Sequence, residues 1–302
     1  MRVAVLGRTQ MLFDAAKRVQ SAGHEITIVG TAPPSPESTA GVDEFRLFAE
    51  SSRCPFFCAS QLQDKHVDLL TESISDVAIT MNWPTLIPNW AIACFRLGII
   101  NAHGSELPKF RGNACPNWAI IAGEERIGLT FHFVDPGALD TGDIVHKTWI
   151  TNSADLYIGD VYRWLEAAVP QGFVTCLENL AREDFVAQKQ SSVGVSRAYP
   201  RRPEDGRLKF DRPSEILQRT VRASSRPFPG AFCYYEGELR VTIWRASVIK
   251  PETVIFAEPG QIMHFSGDDV IVACGGGTAI KFEEYELEGG VKLRRSVRSR
   301  FN

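Results

Sequence analysis

A short apolar run at residues 3–6 ends at Gly7, apolar positions follow at Leu12, Ala15, Ala16 and Val19, and a second β-rich run occupies residues 25–29. The spacing predicts strand, helix and strand in that order. Two strands joined through a helix lie side by side in the same direction, and parallel sheets are covered on both faces. This opening therefore commits the chain to an α/β architecture. Further β-rich runs at 77–80, 97–100, 129–134 and 144–149 extend the alternation and predict a mostly parallel sheet.

The pattern changes along the chain. Residues 155–182 carry Leu156, Val161, Trp164, Leu165, Ala168, Phe173, Cys176, Leu177 and Leu180, which predicts a helix interrupted at Pro170-Gln171-Gly172. From 188 to 207 the chain turns polar, punctuated by Pro200, Pro203 and Gly206, and reads as a linker. Short strands are then expected at 231–235, 240–244, 260–265, 269–273 and 278–287, separated by Glu236-Gly237, Gly267-Asp268 and Gly275-Gly276-Gly277. That spacing predicts a small β-barrel. The 302 residues exceed one ordinary domain of roughly 100–200, so the expectation is a large domain over 1–200 and a smaller one over 201–302.

Bulk chemistry removes several classes. A net charge of -3 gives no global attraction to nucleic acid or membrane. Seven cysteines, with only Cys54 and Cys58 close together, fit neither a disulfide framework nor paired zinc spacing. They read as reduced, mostly buried thiols. The first residues lack the apolar length of a leader and no later run reaches a membrane span, so a soluble cytoplasmic protein is expected.

Chemistry-bearing residues are densest in Asn101-Ala-His103-Gly-Ser105-Glu-Leu-Pro108-Lys-Phe-Arg111-Gly112, directly after the strand expected to end at Ile100. Ligands of open α/β sheets bind at such strand ends. Side chains repeat every two positions along a strand, so Asn101 and His103 point to the same side if the chain stays extended. An amide donor and an imidazole aimed at one atom stabilise oxygen charge in acyl transfer, and the imidazole also carries a proton. A carboxylate is needed to hold the imidazole or to take an amine proton. Asp140, between two glycines in Val134-Asp-Pro-Gly-Ala-Leu-Asp-Thr-Gly-Asp143, is the leading candidate, with Asp135 and Asp143 as competitors. A lone Asn-x-His triplet is more often structural than catalytic, and Asp-Thr-Gly is ordinarily a turn.

The surrounding pattern raises the weight of these residues. The run INAHGSELPKFRGNACPNWAIIAGEERIGLTFHFVDPGALDTGDIV, residues 100–145, resembles the formyltransferase family, whose pattern is N-x-H-x-S-x-L-P-x-x-R-G followed by L-D-x-G. The family includes enzymes acting on methionyl-tRNA, on UDP-4-amino-4-deoxyarabinose and on other amino-sugar nucleotides. The second half is similar as well, in Pro203-Glu-Asp205-Gly-Arg-Leu, Val221-Arg222-Ala and Pro227-Phe-Pro229-Gly230-Ala231. The resemblance implies a Rossmann-like first domain and an open, OB-like C-terminal β-barrel, in which Asp205, Arg222 and Pro229 are structural.

It also implies 10-formyltetrahydrofolate as co-substrate, no metal, and Asn101, His103 and Asp140 as the catalytic set. On that mechanism the amine attacks the formyl carbon, Asn101 and His103 stabilise the tetrahedral intermediate, and Asp140 orients His103 and helps remove the amine proton. In similar enzymes the pterin lies against two loops, which here contain Met81, Trp83 and Leu86, and Val134, Asp135, Gly137 and Ala138.

The acceptor is read as an amino-sugar nucleotide serving surface-polysaccharide, O-antigen or lipopolysaccharide synthesis. Residues 31–53, expected as a loop, hold Glu37, Asp43, Glu44 and Glu50 against Arg46 and Arg53, which repels a tRNA acceptor stem. Pro116-Asn117-Trp118 followed by Gly123-Glu124 also looks like the sugar-nucleotide branch. Arg8, Thr9, Ser105 and Arg111 are the expected substrate contacts, with ordinary surface or structural ion-pair roles as the alternative for Arg8 and Arg111. The basic run from Lys292 to Arg300 reads as a solvated terminus before it reads as a nucleic-acid contact. Methionyl-tRNA formylation is the alternative, with folate hydrolysis and a non-catalytic binding protein behind it. A homodimer is left open, and no membrane partner is expected.

Overall fold

The computed structural model describes residues 1–33 and 40–302. Its elements are β1 (Arg2–Gly7), α1 (Gln10–Ser21), β2 (Glu25–Thr31), α2 (Val42–Ser51), β3 (Phe56–Cys58), α3 (Val67–Glu72), β4 (Val77–Met81), α4 (Asn89–Ala93), β5 (Ile99–His103), β6 (Arg111–Gly112), α5 (Cys115–Ala122), β7 (Arg126–Phe133), β8 (Ile144–Thr151), α6 (Ile158–Leu180), β9 (Arg197–Ala198), α7 (Ser214–Ser224), β10 (Ala231–Tyr235), β11 (Leu239–Ile249), β12 (Ile262–Ser266), β13 (Asp269–Cys274) and β14 (Thr278–Leu287). They form two compact units, the first made of 1–112, 128–150 and 163–198 and the second of 113–127, 151–162 and 199–302. The second unit thus takes in two segments that precede residue 200. One contains α5, apolar all round, whose Asn117 Nδ2 donates to Ala223 O of α7 at 2.8 Å.

The first unit is built on a seven-stranded sheet in the order β3-β2-β1-β4-β5-β7-β8. β1 lies parallel to β2 and β4, and β4 parallel to β5, as the opening pattern requires. β7 departs from this and runs antiparallel to β5. α1 buries Met11, Leu12, Ala15, Ala16 and Val19, and β1 is apolar and buried from Val3 to Leu6. Gly7 permits the turn between them: its φ is +148°, and a Cβ there would stand 2.3 Å from Met81 O.

Two expectations need correction. Residues 42–51 are the helix α2, not loop, because Phe45, Phe48 and Ala49 recur at helical spacing and are buried. Glu44 accepts the Gly41 amide at 2.9 Å and Arg46 pairs with Asp43 at 2.9 Å. Those charges have local structural roles, and Glu37 lies outside the described residues. α6 also continues unbroken through Pro170. Gly172 lies against the Phe131 ring, and α6 buries Leu165, Val169, Phe173, Cys176 and Leu177, packing that outweighs the hydrogen bond a proline removes.

The second unit holds an antiparallel sheet in the order β10-β11-β14-β13-β12, with strand positions close to those read from the sequence. α7 covers it with Leu217 and Val221. Residues 299–302 run between the two edge strands: Asn302 exchanges backbone bonds with Tyr234 at 2.8 and 2.9 Å, Ser299 O accepts from Ile262, and Phe301 N donates to Gly260 O at 2.8 Å. Phe301 is 1% exposed and stacks near Phe210. The end of the basic run therefore serves the barrel core. No helix among the described residues is long and apolar enough to cross a membrane.

Candidate active site

β5 remains extended through His103, so Asn101 and His103 point to one side as alternation demands. Antiparallel pairing sets His132 of β7 opposite Asn101. Asn101 Nδ2 lies 3.1 Å from His132 Nε2. Asp140 Oδ1 stands 3.6 Å from His103 Nδ1 and 3.5 Å from His132 Nε2. An amide, two imidazoles and a carboxylate thus meet at one end of the sheet, and His103, His132 and Asp140 are all buried.

The protons follow from the remaining bonds. His103 Nε2 is 2.9 Å from Phe110 O and His132 Nδ1 is 2.7 Å from Phe133 O. A carbonyl only accepts, so each of these nitrogens carries a hydrogen. In the neutral rings His132 Nε2 is then the acceptor of the Asn101 amide, while His103 Nδ1 turns its lone pair toward Asp140 Oδ1. One added proton converts this repulsive arrangement into an attractive one. The cluster is a slot for a single proton.

Burial dominates at His103 and pushes its imidazole below the ordinary value; the Asp140 carboxylate opposes this, His132 reinforces it, and the Phe110 bond opposes it. At Asp140 burial is again the largest influence and acts upward. The His132 contact, the fields of both imidazoles and the Gly112 amide together outweigh it and hold the carboxyl down. Gly112 N donates to Asp140 Oδ2 at 2.8 Å.

The local turn explains the Asp-Thr-Gly sequence. Asp140 has φ +55°, Thr141 Oγ1 donates to Asp135 Oδ2 at 2.7 Å, and a Cβ on Gly142 would stand 1.8 Å from Phe133 O. Asp135 therefore braces the loop, while Asp143 accepts the Phe133 amide through its backbone oxygen.

Ser105 is 1% exposed and donates to Lys109 O at 2.8 Å, which fixes the turn after β5 and keeps it from solvent. The Arg8 guanidinium donates to Asn82 O and Pro33 O. Arg111 Nη2 donates to Gln190 Oε1 at 2.8 Å. Thr9 Oγ1, Trp83 Nε1 and Arg111 Nε are buried without a hydrogen-bond partner. Met81 is buried, Leu86 is exposed, and residues 134–139 form a largely accessible loop in which Gly137 has open space around it. Sequence reading missed His132. Antiparallel pairing of β7 with β5 makes it the neighbour of Asn101, a relationship set between strands far apart in sequence.

A mostly parallel α/β unit with donors and a proton acceptor gathered at a strand end, joined to an antiparallel barrel unit, defines a transferase of the acyl-transfer type. Models of the formyl transferase and of the formyl transferase C-terminal domain match residues 1–177 and 201–297, and the chain belongs to this formyl transferase family. It is 29% identical over 298 residues to the methionyl-tRNA formyltransferase of Pelotomaculum thermopropionicum, covering 97% of this chain and 93% of that protein. It is similar in fold to the N-formyltransferase of Helicobacter canadensis in complex with folinic acid and dTDP-3-aminofucose, with a TM-score of 0.65, 13% identity, and coverage of 93% and 98%. A variant of HypX from Aquifex aeolicus gives a TM-score of 0.59 at 18% identity over 100% of this chain, which spans 47% of the HypX chain.

Proposed function

We propose that this formyltransferase moves the formyl group of 10-formyltetrahydrofolate to the primary amine of an amino-sugar nucleotide used for surface polysaccharide. The observation that carries the transfer chemistry is the meeting of Asn101, His103, His132 and Asp140 around one proton slot. The folate supplies an activated one-carbon unit. Asn101 has a second Nδ2 hydrogen beyond the one on His132, and it is the donor for charge on the formyl oxygen. The His103 and Asp140 pair receives the proton the amine loses. No cysteine acts as a nucleophile, since the amine itself attacks.

The residues suit a folate. The loops at 81–86 and 134–139 present exposed Leu86 and Leu139 to an aromatic face, and the buried Nε1 of Trp83 is a donor without a partner. For the acceptor, the acids of α2 support a small molecule over a polyanion. Asp43, Glu44 and Glu50 are exposed, and Arg46 is paired with Asp43. Methionyl-tRNA formylation is the second reading, favoured by the 29% likeness to a tRNA-acting enzyme over 97% of the chain.

One assay separates them: the protein is incubated with 10-formyltetrahydrofolate and, in separate arms, a panel of amino-sugar nucleotides, charged initiator tRNA, or no acceptor, and folate release is followed. Formyl transfer to a sugar supports the proposal. Transfer to tRNA and to no sugar replaces it with the second reading, and equal release without acceptor marks a hydrolase.

A further inference from the structure

Residues 188–198, read from sequence as linker, form a strap across the two loops that meet at the site. An isolated bridge between Gln188 and Ile144 fixes one end, through backbone bonds of 2.7 and 2.8 Å. β9 at the other end pairs with β6, which sets Ala198 beside Gly112. Within the strap, Ser196 Oγ accepts the Phe110 amide at 2.9 Å and Ser196 O accepts the Arg111 amide at 2.9 Å. Gln190 Nε2 donates to Asp140 O at 2.9 Å and Gly142 O at 2.8 Å, while its Oε1 accepts from Arg111 Nη2.

The residues so held are strained. Phe110 and Asp140 both have positive φ without being glycine, +56° and +55°. L residues keep such conformations only where their surroundings impose them. The carbonyl of Phe110 is the acceptor that fixes the His103 proton, and the carboxylate of Asp140 faces that ring. The strap therefore touches the backbone of both residues that orient His103 without touching His103 through any of these bonds.

We infer that Gln190 is a positioning residue: by bonding the two carbonyls that flank Thr141, with Arg111 holding its other end, it locks the carboxylate of Asp140 against His103 and His132. This rests on the proposed role of Asp140. Gln190 can do this because both ends of its amide are occupied, which leaves its orientation no alternative. Arg111, expected from sequence to contact substrate, acts here as the anchor of that amide. A missing amide releases the loop toward a relaxed φ and draws Oδ2 away from the Gly112 amide.

The test compares Gln190→Ala, Asp140→Asn and the double variant, with the acceptor from the panel above that supports turnover. The expected result is a loss in kcat of about 10–100-fold for Gln190→Ala with KM changed less than about threefold, and a further loss of under about twofold when Asp140→Asn is already present. An acceptor-free measurement runs beside it: the Asp140 carboxyl, titrated by carbon NMR, moves upward in Gln190→Ala as the Gly112 bond is lost. Gln190→Glu keeps the Arg111 contact but turns an oxygen toward two carbonyls, and it reproduces both effects if the alanine variant folds poorly. Equal losses in both backgrounds, or a folded variant with unchanged kcat and unchanged Asp140 titration, overturn the positioning role. Full activity of Asp140→Asn instead overturns the reading of Asp140 itself, whatever Gln190 does.

Discussion

Asn101 and His132 are direct cross-strand partners, with Asn101 Nδ2 3.1 Å from His132 Nε2, and the same imidazole nitrogen stands 3.5 Å from Asp140 Oδ1. His132 thus fixes which way the Asn101 amide points by accepting one of its hydrogens. His132→Ala is expected to lower kcat by about 10–100-fold with a small change in KM, since a general acid–base contribution is worth about 10²–10⁴ and a positioning one less. His132→Gln, which keeps an acceptor for Asn101, should recover part of the loss. Steady-state kinetics on the two variants decide this, and unchanged kcat in a folded alanine variant removes His132 from the reaction.

How far the sequence spoke depends on the range of the interactions involved. β10 and β14 fall at their expected residues because alternation and flanking glycines act locally. The convergence of Asn101 and His103 was legible for the same reason. His132 was not, because its place is set by pairing between strands far apart in sequence, and nothing in residues 126–133 announces the antiparallel direction. Gln190 was hidden further, inside a segment without periodicity whose bonds reach back 50 residues to Asp140. Pro170 misled in the opposite sense: local chemistry argued for a break, and burial along α6 overrode it.

Acid should destabilise the fold through His103. Its folded pKa lies below the ordinary 6.5, so the unfolded chain binds more protons once pH falls toward that value. The stability gained from burying it neutral is present above about pH 6.5 and is lost as pH falls toward its folded pKa. Asp140, held below the ordinary 3.8, keeps its contribution until lower pH, and loses it as pH drops through its folded pKa. Melting temperatures measured from pH 7.5 to 5 should fall, and His103→Gln should flatten that decline. An identical slope in the variant would assign the effect to other groups, with His24 and His146, both also lowered by burial, next in line.

Two glycines of the Asp140 loop make different predictions. Gly142→Ala places a methyl 1.8 Å from Phe133 O, a backbone atom that cannot retreat without moving β7, whereas the same change at Gly137 meets nothing within 4 Å and carries only the strain of φ +70°. Gly142→Ala should cost about 2 kcal/mol or more, as overpacking does, and displace Asp140. Gly137→Ala should cost about 1 kcal/mol, the usual penalty for a left-handed L residue. Denaturant unfolding with kinetics on both variants checks the pair; comparable losses at the two positions would contradict the close approach at Gly142.

Pro170 offers a stability gain without a functional one. It sits inside α6, where it removes a backbone hydrogen bond and clashes with the carbonyl one turn back, a defect of about 3 kcal/mol in an ideal helix. The helix has already relaxed around the ring, and replacing proline restores entropy to the unfolded chain, so the recoverable part is smaller. Pro170→Ala is expected to stabilise the fold by about 1 kcal/mol. Gly172, two residues on, sets the limit of what this helix tolerates, because a Cβ there stands 2.1 Å from the Phe131 ring. Gly172→Val should therefore destabilise by about 2–3 kcal/mol. Thermal unfolding of both variants measures the difference, and a Pro170→Ala protein that melts below the parent would mean that the proline bend is itself required for α6 to meet Phe131.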